Sequence, residues 1–289
     1  MAMPEHTAFD TSHPAVAVCY FAGVLAITMC SAHPVVAAVS LVGALAFSAL
    51  SRGARATLSG LVWQVPMLVL VCLANPLFSA SGSTLLWRWG PLAVYAESLA
   101  YGACMGAVLV ATIVWFEDMA RVVTQERAMS LLGGVAPTVT LMISMVSRLV
   151  PQLMRRAAVV RTAADATCVA DGDGRPSRSR TRLTSVLLTW SLEDSLVRAD
   201  SMRARGWGAS SRRTSYRRHD FRTSDGMALA GIVVLAGVSA FLVWVACSQW
   251  RFYPTMPTLV AWWGYIPFAA FVALPSVLAL VERASWRFA

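Results

Sequence analysis

Six apolar stretches, kept apart from nearly all of the charge, constrain this chain more than any other feature. Residues 15–32 are apolar and uncharged, and His33-Pro34 breaks the run. Residues 34–50 follow, ended by Ser51-Arg52-Gly53 and Arg55. Residues 61–78 close in Asn75-Pro76-Leu77-Phe78, and residues 92–116 carry one carboxylate, Glu97, near their start. Residues 227–247 and 258–281 contain no charge. A helix rising about 1.5 Å per residue crosses hydrocarbon in about 20 residues. Only continuous backbone hydrogen bonding satisfies peptide groups there, so helices are the expected solution for all six. Composition agrees: 57% of the residues are hydrophobic and only 13% charged, against about a quarter charged in soluble domains. The predicted fold class is all-α, a polytopic membrane protein of about six transmembrane helices, with two long helices in a cytoplasmic insert.

Charge placement predicts an orientation. All the basic residues are arginine, 24 in number, and the net charge is +9. With the N-terminus inside, Arg52, Arg55, the arginines of residues 118–225, Arg283 and Arg287 are cytoplasmic, and only Arg88 and Arg251 are outside. Short loops rich in arginine face the cytoplasm, so both termini are expected inside. Trp87, Trp89, Trp250, Trp262 and Trp263 sit where an outer aromatic belt would. No positive charge precedes the first apolar run, so that run is expected to stay as a span rather than be cleaved as a signal. The expected organisation is four N-terminal spans in 1–117, a cytoplasmic region in 118–225, and two C-terminal spans in 226–289.

The insert reads as helical. Met119, Val122, Val123, Met129 and Leu132 recur at helical spacing, Gly133-Gly134 ends that segment, and Pro137 is placed to start the next. Residues 137–150 are apolar but too short for a comfortable span, and are expected at the membrane surface or among other helices, ending at Pro151. A helix is expected from Gln152 to about Cys168, a turn at Asp171-Gly172-Asp173-Gly174 and Pro176, and a second long helix from about Leu183 to Arg205. Gly206 is suited to close it.

Catalytic signals are weak. No GxxxxGK[ST] phosphate loop occurs, so the chain is not itself an ATPase, and His6, His13, His33 and His219 form no metal or triad spacing. The six cysteines, Cys19, Cys30, Cys72, Cys104, Cys168 and Cys247, form no CxxC and predict neither a disulfide framework nor a zinc site. The neighbours Glu117-Asp118 and Glu193-Asp194 point in different directions from a helix and suit a water-exposed surface. Glu97 is open to two readings, an intramembrane transport group or a residue reaching the outer interface. Arg212, Arg213, Arg217, Arg218 and Arg222 fit either anionic headgroups or a solvated flank of the fifth span.

The stretch Thr189-Trp190-Ser191-Leu192-Glu193-Asp194-Ser195, continuing through Ala199-Asp200-Ser201-Met202-Arg203-Ala204-Arg205-Gly206-Trp207-Gly208, resembles the second coupling helix of the transmembrane T component of energy-coupling factor transporters. Arg213-Thr214, Phe221-Arg222 to Asp225, Asn75-Pro76-Leu77-Phe78, Trp115-Phe116 and residues 137–151 continue the likeness, which covers most of the chain. The resemblance implies a non-catalytic scaffold in a bacterial cell membrane, without a cofactor. Its partners would be two ABC-type ATPase subunits and a small substrate-binding membrane subunit that takes up a vitamin or metal ion; no nucleic acid is involved. It implies that Ala204, Arg205 and Gly206 dock in one ATPase, where a planar guanidinium suits a carboxylate. The corresponding first box is Ala166-Thr167-Cys168, which departs from the family by placing threonine for arginine and cysteine for glycine. Thr167 makes no charged pair and Asp165 repels an acidic groove, which gives Arg161 more weight. Leu183, Val186, Leu187 and Trp190, with Leu141 and Met145, would form the platform for the substrate-binding subunit. The competing reading is a membrane enzyme of lipid or quinone metabolism with a cytoplasmic cap, which needs acidic or histidine residues converging near the inner interface.

Overall fold

The computed structural model describes residues 13–78, 83–89, 92–171, 176–209, 222–252, 257 and 262–288. Nine α-helices are present among them: α1 (Pro14–Cys30), α2 (Pro34–Arg52), α3 (Ala54–Phe78), α4 (Ala96–Val122), α5 (Gln125–Val135), α6 (Pro137–Asp171), α7 (Pro176–Ala204), α8 (Thr223–Gln249) and α9 (Ile266–Phe288). One two-stranded antiparallel hairpin, β1 (Leu85–Trp89) and β2 (Leu92–Tyr95), interrupts an otherwise all-α architecture. Five helices, α2, α3, α4, α8 and the α9 region, are long and apolar enough to cross a membrane. The expected first span is the shorter α1, whose 17 residues extend about 26 Å. The chain is a multi-pass membrane protein by these helices, and it divides into two compact units, Met1–Ala128 with Asp220–Ala289, and Met129–His219.

In the first unit, α4 is the hub and packs against α1, α2 and α3, while α9 packs on α2 and α8 on α1. Small residues let the backbones approach. A side chain at Gly102 would meet the Cys72 carbonyl oxygen at 2.8 Å, and one at Gly106 would meet the Leu68 carbonyl at 3.1 Å. Together they form a GxxxG face through which α4 touches α3, the device that replaces hydrophobic drive between helices in lipid. The core beside it is aromatic. Tyr20, Phe21, Phe47, Trp115 and Phe271 are fully buried, with Phe47 stacked on Trp115 at 6.3 Å and Phe21 edge-on to it at 6.0 Å. Several buried polar atoms in this core are paired. Trp115 Nε1 donates to Ser40 Oγ at 3.1 Å, Ser40 and Thr28 hydroxyls lie 2.8 Å apart, and the Tyr20 hydroxyl donates to the Phe271 carbonyl at 3.1 Å. Such pairing is what burial of polar groups requires. The outward faces are apolar: Val62, Trp63, Leu70 and Leu73 on α3, and Val234, Phe241 and Trp244 on α8, are exposed.

Several boundaries differ from expectation. The stretch 92–116 is not helical from its start, because Leu92–Tyr95 pairs with Leu85–Trp89. Both strands are rich in aromatic and branched residues that favour extended backbone, and the helix starts only at Ala96. Helix α3 starts at Ala54, about two turns before the apolar run. The expected break at Pro151 is also absent, since α6 runs unbroken for 35 residues. A proline costs the helix one hydrogen bond to the residue four before it. The freed carbonyl here is that of Ser147, and Leu149, Gln152, Leu153, Met154 and the residues beyond are good helix formers that carry the helix past the proline. Helix α7 begins at Pro176 rather than near Leu183, with proline at the first helical position, where its missing N–H costs nothing. The turn expected at 172–175 lies outside the described residues, as do 210–221 and their arginines.

Candidate functional site

The second unit is built around α6 and α7, which meet through charged side chains. Arg198 Nη2 donates to Gln152 Oε1 at 2.8 Å, and Arg156 pairs with Asp194 at 3.8 Å. Asp194 also takes Arg198 from one turn along its own helix, at 2.8 Å. Residue 152 faces 198 and residue 156 faces 194, so the helices run in opposite directions at this contact. Ala166 lies ten residues, about 15 Å, past Arg156 along α6, and Arg205 lies seven residues, about 10 Å, past Arg198 the other way. The two boxes singled out in the sequence are therefore carried to opposite sides of this contact and are not brought together.

The second box sits at a helix end of well-defined form. Gly206 N–H donates to the Arg203 carbonyl at 2.9 Å, and Trp207 N–H to the Met202 carbonyl at 2.9 Å. Gly206 takes φ +81°, a left-handed conformation open to glycine at little cost. These are the two bonds of a Schellman closure, which satisfies carbonyls that the end of a helix leaves open. Gly208 repeats the positive φ at +85°. Ala204, Arg205 and Gly206 are all exposed, so the guanidinium stands at the tip of a 29-residue helix. In the first box Ala166 is exposed and α6 continues through it to Asp171; the side chains of Thr167 and Cys168 lie outside the described residues. Arg161 is exposed one turn before.

The platform residues separate. Val186 and Leu187 on α7, and Leu141 and Met145 on α6, are half-buried, while Trp190 is 42% exposed; the Leu183 side chain is outside the described residues. By helical spacing Leu141 and Met145 lie on the side of α6 that also carries Gln152 and Arg156. The open apolar stripe of α6 is a different one: Val139, Ile143, Val146, Val150 and Met154, spaced by three and four, are all exposed. Leu188, Leu192, Leu196 and Val197 are exposed on α7.

In the membrane unit the structure corrects the reading of Glu117-Asp118. Asp118 is buried, at 1% exposure, and Glu117 is held in place. Arg52, whose side chain is 7% exposed at the end of α2, donates through Nη2 to Glu117 Oε2, and its Nε lies 3.6 Å from Asp118 Oδ1. Gln64 of α3 donates to Glu117 Oε1 at 3.2 Å. One arginine thus answers two carboxylates and ties α2, α3 and α4 at one end. Arg52 is the main partner of the Asp118 carboxylate, with Arg121 and Ser48 also acting on it. Arg52 lies at the C-terminal end of α2 and Glu117-Asp118 near the C-terminal end of α4, and packing brings these two like ends side by side. Glu97 resolves as a structural group. Its Oε1 accepts from Ser83 Oγ at 2.8 Å and from the N–H groups of Ser83 and Thr84 at 3.3 and 3.1 Å, fastening the preceding turn to the first turn of α4.

Among the described residues, no group of three or more His, Cys, Asp and Glu side chains is placed to hold a metal ion. No protein-family model and no curated protein matches the chain.

Proposed function

We propose that this chain is the transmembrane scaffold of an energy-coupling factor importer. It would link ATP hydrolysis by two ABC-type ATPases to a small membrane subunit that binds a vitamin or a metal ion. The observation that carries this reading is the end of α7: an exposed Arg205 between Ala204 and a Gly206 of positive φ, presented at the tip of a long helix by a Schellman closure. Small residues on both sides of a guanidinium let a partner backbone close on it, and its planar fork suits a carboxylate. The opposite placement of Ala166 and Arg205 about the α6–α7 contact supports two separate docking partners. In this reading residues 118–225 and both termini are cytoplasmic, and Arg52, Arg55, Arg283 and Arg287 follow the positive-inside rule.

The mechanism is mechanical. ATP closes the two ATPases, the tips around Thr167 and Arg205 are drawn together, and the other ends of α6 and α7 turn the substrate-binding subunit. In this reading Leu183, Val186, Leu187 and Trp190, with Leu141 and Met145, form the platform for that subunit, and the exposed α6 stripe from Val139 to Met154 adjoins it. The test is purification of tagged protein from its native membranes in mild detergent, with mass spectrometry of what accompanies it. Two ABC ATPases and a small membrane protein are expected with the wild type, and Arg205→Glu should lose one ATPase while leaving the chain folded. A folded chain that purifies alone, or an Arg205→Glu variant that retains both ATPases and uptake, would overturn the assignment.

A further inference from the structure

Helices α1 and α2 open in the same way, each on a His-Pro pair in which the histidine side chain caps the helix. His13 Nδ1 accepts the Ala15 N–H at 3.2 Å, and His33 Nδ1 accepts the Val35 N–H at 3.2 Å. The two sites differ in what surrounds the ring. His33 is buried, at 3% exposure, and packs against Trp250 at 4.9 Å and Tyr265 at 5.3 Å. Its other nitrogen, Nε2, lies 3.1 Å from the Tyr265 hydroxyl. A ring nitrogen that accepts a hydrogen bond carries no proton, so the proton of the neutral ring is on Nε2, which donates to Tyr265. A single imidazole therefore joins three parts of the membrane unit: the start of α2, the end of α8 through Trp250, and the 3₁₀ turn Trp263–Tyr265 that leads into α9.

We propose that His33 is an acid-released latch between the α1–α2 corner and the α8–α9 connection, closed while its ring is neutral and opened by a second proton on Nδ1. The doubly protonated ring has two donors and no acceptor, so the Val35 N–H loses its partner. A positive charge at a helix N-terminus also opposes the helix dipole. Among the described residues no carboxylate acts on the ring to compensate. The titratable side chains on the surrounding elements are Cys30 on α1, Cys247 on α8, Cys104 and Tyr101 on α4, and Tyr265, none of which offers an anion near neutral pH. Arg251, next to Trp250, is exposed and of the same sign. Glu97 at the start of α4 is already engaged by Ser83 and Thr84.

Burial holds His33 below the ordinary histidine value of 6.5. The sign follows from that direction. The closed form binds fewer protons than the open one in acid, so the latch contributes fully above 6.5 and weakens as pH falls from there towards the depressed value. Nothing in the latch depends on partner proteins.

Hydrogen–deuterium exchange on the full chain in lipid nanodiscs tests it, read on peptides covering 33–38 and 262–268 and corrected for the intrinsic rate. Between pH 6.5 and about 5.5 the wild type should lose up to about tenfold in protection at both peptides, the linkage limit for one proton per pH unit. His33→Asn keeps a good side-chain cap and cannot be charged, so its protection should not respond to acid. Tyr265→Phe should expose 262–268 at neutral pH while 33–38 stays protected, because the cap is untouched. A wild type that does not respond to acid, a His33→Asn variant that responds as the wild type does, or a Tyr265→Phe variant with unchanged exchange would each overturn the latch.

Discussion

The membrane unit and the α6–α7 unit use the same residue types in opposite ways. In the membrane unit, charged and polar groups point inward and meet each other: Arg52 with Glu117 and Asp118, Trp115 with Ser40, His33 with Tyr265. Its apolar side chains occupy both the core and the outer faces. In the α6–α7 unit, charge also forms the helix contact, but the apolar stripe of α6 and the leucines of α7 are exposed. An exposed apolar residue on a span helix is met by lipid and requires no partner. The same residues on an arginine-rich helix pair are apolar surface left open among the described residues. Burial therefore follows the packed core in the first unit, while the second leaves much of its apolar surface uncovered.

Mutations sharpen that contrast, beginning with the largest effect. Arg52→Ala leaves two carboxylates without their cation at a buried helix end. It should cost about 3–5 kcal/mol, seen as loss of folded protein in detergent melting curves. Replacing the cluster together, Arg52→Leu with Glu117→Gln and Asp118→Leu, should recover most of it; equal damage from both variants would show that the site is not an ion-pair staple. Next comes Gly102→Leu, which drives a side chain into the Cys72 carbonyl. Overpacking of about 3 kcal/mol is expected, with α3 becoming accessible to protease, whereas an unchanged melt would disprove the close α3–α4 approach.

Effects in the second unit should be smaller on stability. Gly206→Ala places a Cβ at φ +81°, a strain of about 1–2 kcal/mol. Circular dichroism should show slight fraying of α7, and any ATPase docking should weaken because the tip is misdirected. Arg205→Ala is the smallest, within about 0.5 kcal/mol of wild type by melting, since its side chain is at the surface. A large destabilisation there would make Arg205 a structural residue rather than a recognition one.

Much of the fold was legible in the sequence, but unevenly. Pro137 starts a helix and Gly206 closes one as expected, because capping depends on a few neighbouring residues and on backbone geometry that proline and glycine announce; Pro176, expected in a turn, starts α7 instead. Pro151 misled for the same local reason: it costs one hydrogen bond, and a helix with strong formers on both sides absorbs that loss. Strand Leu92–Tyr95 hides at the start of an apolar run, because four such residues show no period that distinguishes strand from helix. At the candidate site, Ala204-Arg205-Gly206 stands out through a family resemblance and not through any pattern of its own, whereas the contact of Gln152 and Arg156 with Arg198 and Asp194 joins two helices and shows in no local segment.

Residue order alone determined that this chain partitions into apolar helices and an arginine-rich insert, because bilayer thickness and helix rise convert length and hydropathy directly into spans. It also determined where α7 ends. The tertiary structure alone decided which helix ends meet. Arg52 and Glu117 are 65 positions apart, His33 and Tyr265 are 232 apart, and no local pattern encodes such pairs. A buried charge or imidazole is tolerated only where packing delivers its partner, so these contacts exist as a property of the assembled bundle and not of any one segment.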